Sequence, residues 1–208
     1  MYEGEALSLL QTRVLGVLIE KQHTVPDSYP LTLNSLVTGC NQKSSRDPVL
    51  EASEGDVAAA IDQLRALNMV NEVSGGRVPR YEHLLGRALQ IPSQSVALLA
   101  VLMLRGPQTA GELRLNCERL HRFADISAVE GFLEELAGRE PGALVAQLPK
   151  QAGARECRWA HLLSGEVPSI SSELPNRTLL ERVDQLELEV VQLKQQLALL
   201  CAANPQNS

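Results

Sequence analysis

Two cysteine–histidine pairs have a spacing that could hold a metal ion. Cys117 and His121 lie four residues apart in a segment with helical periodicity, and Cys157 and His161 lie four apart in a strand-like segment. Thiolate and imidazole are preferred zinc ligands, so both pairs raise a zinc hypothesis. The 208 residues contain no GxSxG, HExxH, P-loop or GxGxxG pattern. We therefore expect no enzyme, no catalytic residues and no cofactor-binding residues.

The elements around these pairs form an internal duplication. The segments RYEHLL (80–85) and RWAHLL (158–163) each close a stretch with the same succession of patterns. Each stretch has an apolar helix, a Pro/Thr turn, two further helices and two strands around a glycine-containing turn. The pattern predicts a mainly α fold with small β-hairpins (α+β), arranged as two tandem winged helix-turn-helix domains at 1–86 and 87–165. GRALQIPSQ is interpreted as the linker between them.

The duplication also bears on the zinc hypothesis. Cys157 stands where the first copy has Pro79, which cannot bind a metal. Cys117 matches Cys40, and the residues around Cys40 include no histidine. We therefore interpret the cysteines and histidines as duplicated packing positions and expect no metal site.

The third helix of each copy has an acidic exposed face. We predict that the first begins with Ser53 and Asp56 as a capping pair, and the second with Ser127 and Glu130. The predicted exposed faces carry Glu54, Asp56, Ala59, Ala60, Asp62 and Gln63 in the first copy, and Glu130, Glu134 and Glu135 in the second. In helix-turn-helix recognition this helix enters the major groove, where carboxylates repel phosphates. The helices are therefore poorly suited to reading DNA.

Basic and amide residues gather outside these helices. Candidate contacts to nucleic acid or a protein partner are Asn41, Gln42, Lys43 and Arg46 in the loop after the second helix, Arg77 and Arg80 in the first hairpin, and Lys150, Arg155 and Arg158 in the second. Exposed cations on hairpins also serve as ordinary protection of strand edges. The formal net charge of −6 and the pI of about 5.3 argue mildly against nucleic acid as the main partner.

The C-terminal part has the pattern of a coiled coil. Residues 166–177 are a Ser- and Pro-rich linker, 178–201 carry heptads, and 202–208 are expected to be a disordered tail. The predicted dimerisation residues are Leu179, Val183, Leu186, Val190, Leu193, Leu197 and Leu200. Branched residues at a with leucine at d favour a parallel dimer. Alternatively, the helix folds back onto its own domains.

The sequence has no run of about 18 apolar residues and no basic, apolar leader at its start. Its four cysteines form no CxxC pair. These features lead us to expect a cytoplasmic protein with reduced thiols and no membrane partner.

The stretches LIEK, TVPDSYPLTLNSL and CNQKSSRDPV resemble the YceH-like family of uncharacterised bacterial proteins. The resemblance implies a tandem winged-helix architecture and supplies no catalytic residues.

The charge and heptad patterns described above leave two functional hypotheses. One is a dimeric, non-catalytic adaptor or regulator that binds protein. The other is a dimeric DNA-binding transcriptional regulator that uses Lys43, Arg46 and basic wings.

Overall fold

The computed structural model describes residues 6–73, 78–151 and 153–165. The predicted linker 166–177, the coiled coil 178–201 and the tail 202–208 lie outside the described residues, as does Arg77. Those interpretations therefore stay predictions.

The described residues form seven helices and two small antiparallel sheets, which confirms a mainly helical α+β fold. The helices are α1 (Leu9–Thr24), α2 (Leu33–Cys40), α3 (Glu54–Ala66), α4 (Leu85–Leu89), α5 (Ser93–Arg105), α6 (Ala110–Asn116) and α7 (Ile126–Ala137), with a 3₁₀ turn at Pro26–Ser28. The strands are β1 (Leu31–Thr32), β2 (Val70–Val73), β3 (Arg80–His83), β4 (Val145–Gln147) and β5 (Trp159–His161).

Each copy ends in the antiparallel strand pair that the sequence predicts. In the first sheet β3 lies between β1 and β2, and Val70 is opposite His83. In the second, β4 pairs with β5, and a single bridge from Gln108 to Trp159 takes the place of β1. Strand β1 was not expected, because two residues are too few to show an alternating pattern.

The copies are joined through their first helices. Helix α1 packs against α2, α3 and α5, and its residues from Gln11 to Ile19 are all buried. Gly16 lies so close to α5 that a Cβ atom there would stand 2.8 Å from Leu104 Cγ. Glycine therefore allows the close approach of the two helices.

The segment between the copies is ordered rather than a simple linker. It forms α4, which spans the predicted boundary at residue 86, and both Leu85 and Leu89 are buried. Two apolar anchors in a short segment explain why it packs instead of extending.

The helix caps agree with one prediction and correct another. Ser53 and Asp56 form the predicted capping box at the start of α3. At α7, however, Asp125 is the cap and its side chain accepts from the Ala128 N–H at 2.8 Å. The predicted pairing of Ser127 with Glu130 is wrong, because the helix begins before both residues.

Within the described ranges, no helix combines the length and apolar character that crossing a membrane would require.

Candidate functional site

The loop at 41–52, between α2 and α3, carries four of the predicted contact residues. Its base is closed by Asn41, whose Nδ2 donates to the Ala52 carbonyl (2.9 Å) and whose Oδ1 accepts from the Ala52 N–H (2.8 Å). Gln42 accepts from Lys21 Nζ (3.3 Å) and donates to the Ser44 carbonyl (3.0 Å). The hydrogen bonds of both amide side chains therefore fix the conformation of the loop.

Arg46 is buried, with 6% of its surface exposed. Its guanidinium donates to both carboxylate oxygens of Glu20 (3.1 and 2.6 Å) and to the Gly39 carbonyl (3.2 Å). Burial raises the pKa of Glu20, but the hydrogen bonds and charge of Arg46 outweigh it and leave that pKa below its usual value. The guanidinium of Arg46, one of the candidate contact residues, is therefore engaged inside the protein.

A second arginine, Arg13 of α1, holds the same loop from beneath. It is fully buried, and it donates to the carbonyls of Cys40 (3.1 Å) and Pro48 (2.6 Å). Burial, followed by the like charge of Arg46, lowers its pKa. The sequence signal for Arg13 is a cation followed directly by the apolar run VLGVLI, where a buried charge must find internal partners.

The loop also contacts the second copy. The backbone N–H of Asp47 donates to the Leu104 carbonyl (2.8 Å), and Arg105 donates to Ser45 Oγ (2.9 Å). What it leaves exposed includes Lys43 and Val49, which is 51% exposed. The loop therefore presents a small surface fixed on both copies.

Two hairpin arginines have matching structural roles. Arg80 donates to the carbonyls of Ser28 (3.1 Å) and Pro30 (2.7 Å). Arg158, its equivalent, donates to the Pro107 carbonyl (2.9 Å). Each side chain links the last strand of its copy to the proline before α2 or α6. Both arginines therefore form internal hydrogen bonds although they lie at the surface. Lys150 and Arg155 are exposed.

Two of the cysteines lie in packing positions. Cys40 and Cys117 are fully buried, and burial raises their pKa values to about 11 and about 12. They are therefore protonated near neutral pH, which opposes metal binding. The ring of His121 instead contacts that of Phe123 at 4.7 Å between centroids. The part of the chain that the structure describes contains no cluster of three potential metal ligands.

His83 and His161 are equivalent and both largely buried. Burial lowers both pKa values to about 4, with a further contribution from His23 at His83. Nε2 of His83 lies 2.7 Å from Gln22 Oε1, whereas Nδ1 of both rings is buried without a hydrogen-bond partner among the described residues. Both rings are neutral at pH 7.

The exposed faces of α3 and α7 are acidic. The exposed carboxylates are Glu54, Asp56 and Asp62 on α3, and Glu130, Glu134 and Glu135 on α7. Ala60, expected on the exposed face of α3, is instead 4% exposed and packs in the core. Arg65 on α3 pairs with Asp62 (3.4 Å) and Glu72 (3.0 Å), so its charge is largely neutralised.

A further basic surface lies at the end of α6 and in the segment after it, and it was not predicted. Arg114 and Leu115, which is 70% exposed, belong to α6, and the exposed Arg119 and Arg122 follow it. A cleft of about 70 Å³ opens there, lined by Arg114, Leu115, Glu118, Arg122 and Phe123. The sequence signal was three arginines between residues 114 and 122 of an acidic chain. We call this surface the α6 cleft.

Comparisons with known proteins place this chain among bacterial proteins without an assigned activity. Residues 7–154 match the family described as "Protein of unknown function, DUF480". A UPF0502 protein of Dechloromonas aromatica is 60% identical over 198 residues, covering 90% of this chain and 92% of that protein. One of Methylibium petroleiphilum is 63% identical over 169 residues (81% and 72%), and one of Acidovorax sp. is 53% identical over 208 residues (94% and 92%). The YceH-like resemblance of the first copy agrees with these matches, and the chain belongs to the DUF480 family, whose relatives carry the name UPF0502.

Proposed function

We propose that this protein is a non-catalytic adaptor or regulator, built from two tandem winged-helix-type domains, that acts through contacts with other proteins. The observation that carries the proposal is the acidic exposed face on the third helix of both copies. That helix is the one that a DNA-binding winged helix would insert into the major groove. Its carboxylates would face phosphates there at an electrostatic cost.

The positions and hydrogen bonds of the predicted basic residues support the same proposal. Arg46 is buried against Glu20, while Arg80 and Arg158 are bonded to main-chain carbonyls. Fewer cations are therefore free to neutralise phosphates than the sequence suggests. A protein that binds few phosphates binds DNA weakly at physiological salt.

The alternative is a DNA-binding transcriptional regulator. Lys43, Lys150 and Arg155 are exposed, which favours contacts made by the loop at 41–52 and the second hairpin. This mode would use wings and loops instead of the third helix.

Fluorescence anisotropy against a random DNA duplex distinguishes the two functions. At about 50 mM salt we expect no saturable binding by the full chain, because too few phosphates are neutralised. Glu134→Lys/Glu135→Lys should create salt-sensitive binding, since it removes the carboxylates from α7 and adds cations. Glu134→Gln/Glu135→Gln is the matched control without added positive charge.

Strong binding by the unaltered chain, with a steep salt dependence that Lys43→Ala/Lys150→Ala/Arg155→Ala abolishes, would establish the DNA-binding alternative. The protein-binding proposal makes a positive prediction as well. A photocrosslinking residue at position 130, in the protein's own host, should give discrete protein adducts that Glu134→Lys/Glu135→Lys abolishes.

We further propose that the chain dimerises through residues 178–201. Light scattering should give about twice the chain mass of 22.6 kDa. Leu186→Asp/Leu193→Asp, which places charge in the predicted seam, should give a monomer. A monomeric unaltered chain would instead support the helix folding back onto its own domains.

A further inference from the structure

We infer that the α6 cleft is a docking site for an acidic protein segment that inserts one apolar side chain between arginines. This inference rests on the proposed protein-binding function and specifies the chemistry of the partner. Four observations support it: the size of the cleft, its charge, its absence from the first copy, and the carboxylate that lines it.

The size of the cleft suits a single side chain. Its volume of about 70 Å³ is well below the roughly 300–1,000 Å³ typical of small-molecule and cofactor pockets. Phe123, which is 4% exposed, lines it and is held edge-on by the rings of His121 and Phe132 at centroid distances of 4.7 and 5.9 Å. Leu115 adds an exposed apolar wall. An inserted aliphatic side chain would contact Leu115 and Phe123, while the rest of the lining is polar.

The charge of the cleft suits carboxylates beside that anchor. Among residues 114–122, three arginines accompany one carboxylate, Glu118. Arg114 is oriented by a hydrogen bond from its Nη2 to the Ala124 carbonyl (3.1 Å). Within the ranges that the structure describes, none of these arginines forms an ion pair. Guanidinium groups bind carboxylates through paired, charge-assisted hydrogen bonds.

The first copy shows that the fold does not need this cluster. The buried cysteines that end α2 and follow α6 align the two copies, so Arg114 and Leu115 correspond to Val37 and Thr38. Arg80 and Arg158, by contrast, are shared between the copies and bind main-chain carbonyls in both. The arginines of the cleft are therefore not needed by the shared fold, which leaves them available to a partner.

The surroundings of the cleft favour a protein segment over nucleic acid. Glu118 lines the cleft itself. A continuous phosphate backbone would have to pass this carboxylate, whereas a peptide can place its few acidic groups beside the arginines. The cleft also has room for one apolar side chain, which a peptide can supply and a phosphate backbone cannot.

The test is selection of a displayed library of random 12-residue peptides on the full chain, followed by affinity measurement on the enriched peptides. We expect acidic peptides with one large aliphatic residue. Arg119→Glu/Arg122→Glu should weaken their binding at least tenfold, and so should Leu115→Ser, which changes a side chain already exposed. Lys150→Glu/Arg155→Glu is the matched control, because it makes the same charge change on the second hairpin, and it should alter the affinity less than twofold.

Enriched peptides without acidic residues, or acidic peptides that bind Arg119→Glu/Arg122→Glu as tightly as the unaltered chain, would overturn the inference while leaving the broader protein-binding function intact. Peptides that fail to enrich at all would overturn it too. Duplex DNA that binds the unaltered chain with a steep salt dependence, and loses affinity in the arginine variant, would assign the cleft to nucleic acid and would also contradict the proposed function.

Discussion

Arginine has three different roles in this molecule. Arg13 and Arg46 are buried and hold the loop at 41–52 against α1. Arg80 and Arg158 are surface groups that bind main-chain carbonyls. Arg122 lines the α6 cleft. Residue type alone does not separate these roles, which depend on the carbonyl or carboxylate that the fold places near each guanidinium.

Arg46→Ala should cost about 3 kcal/mol in the free energy of unfolding, because it leaves the Glu20 carboxylate without its main partner. Lys43→Ala, in the same loop but exposed, should change it by less than about 0.5 kcal/mol. Urea denaturation followed by circular dichroism measures both. In Glu20→Ala/Arg46→Ala the loss should be smaller than the sum of the single losses. Equal effects of the Arg46 and Lys43 variants would contradict the burial of this pair.

The two equivalent histidines should make stability fall in mild acid. Their pKa values are lowered from 6.5 to about 4, so below pH 6.5 the unfolded chain takes up protons that the folded chain does not. The free energy of unfolding should therefore decrease as the pH falls from 6.5 to 4, by up to about 1.4 kcal/mol per pH unit for each histidine. Urea denaturation at several pH values tests this. His83→Gln/His161→Gln should flatten the profile, and an unchanged slope would exclude these histidines as its source.

At the scale of the element, local sequence predicts where helices lie better than where they begin. The capping box at Ser53 was found because a serine and an acidic residue stand three apart. Near α7 the same spacing occurs at Ser127 and Glu130, but Asp125 caps the helix. Two possible caps stand two residues apart, and the packing of the helix, in which Val129 is fully buried, decides between them.

Asp125→Ala should therefore destabilise the protein by about 1 kcal/mol, because the Ala128 N–H loses its acceptor. Ser127→Ala is the matched control and should change stability by less than about 0.5 kcal/mol. Thermal denaturation of both variants checks the assignment. The reverse order of effects would restore Ser127 as the cap.

At the scale of the whole molecule, the two copies share packing through α1 and α5. Gly16 makes the contact close, since a Cβ atom there would stand 2.8 Å from Leu104 Cγ. Helix α4, which connects the copies along the chain, buries Leu85 and Leu89 and packs against α5. The α1–α5 contact gives the loop at 41–52 a second surface to dock on.

Gly16→Ala should lower the free energy of unfolding by about 1–3 kcal/mol, because overpacking at Leu104 exceeds the helix-propensity gain. Gly131→Ala on α7 meets no atom within 4 Å and should stabilise by about 0.5–1 kcal/mol. Chemical denaturation of both variants provides the comparison. Similar stabilisation by both would show that α1 and α5 are not closely packed at Gly16.

The sequence by itself determined the duplication, the mainly helical class with terminal hairpins, and the acidic faces of α3 and α7. These features follow from periodicity and residue type, which act over one or two helical turns. The tertiary structure decided that Arg46 is buried, that α4 packs against α5, and that Arg114, Leu115 and Phe123 meet at one cleft. Such outcomes depend on contacts between residues far apart in the chain, or around a turn whose path the pattern does not specify, and local preference cannot determine them.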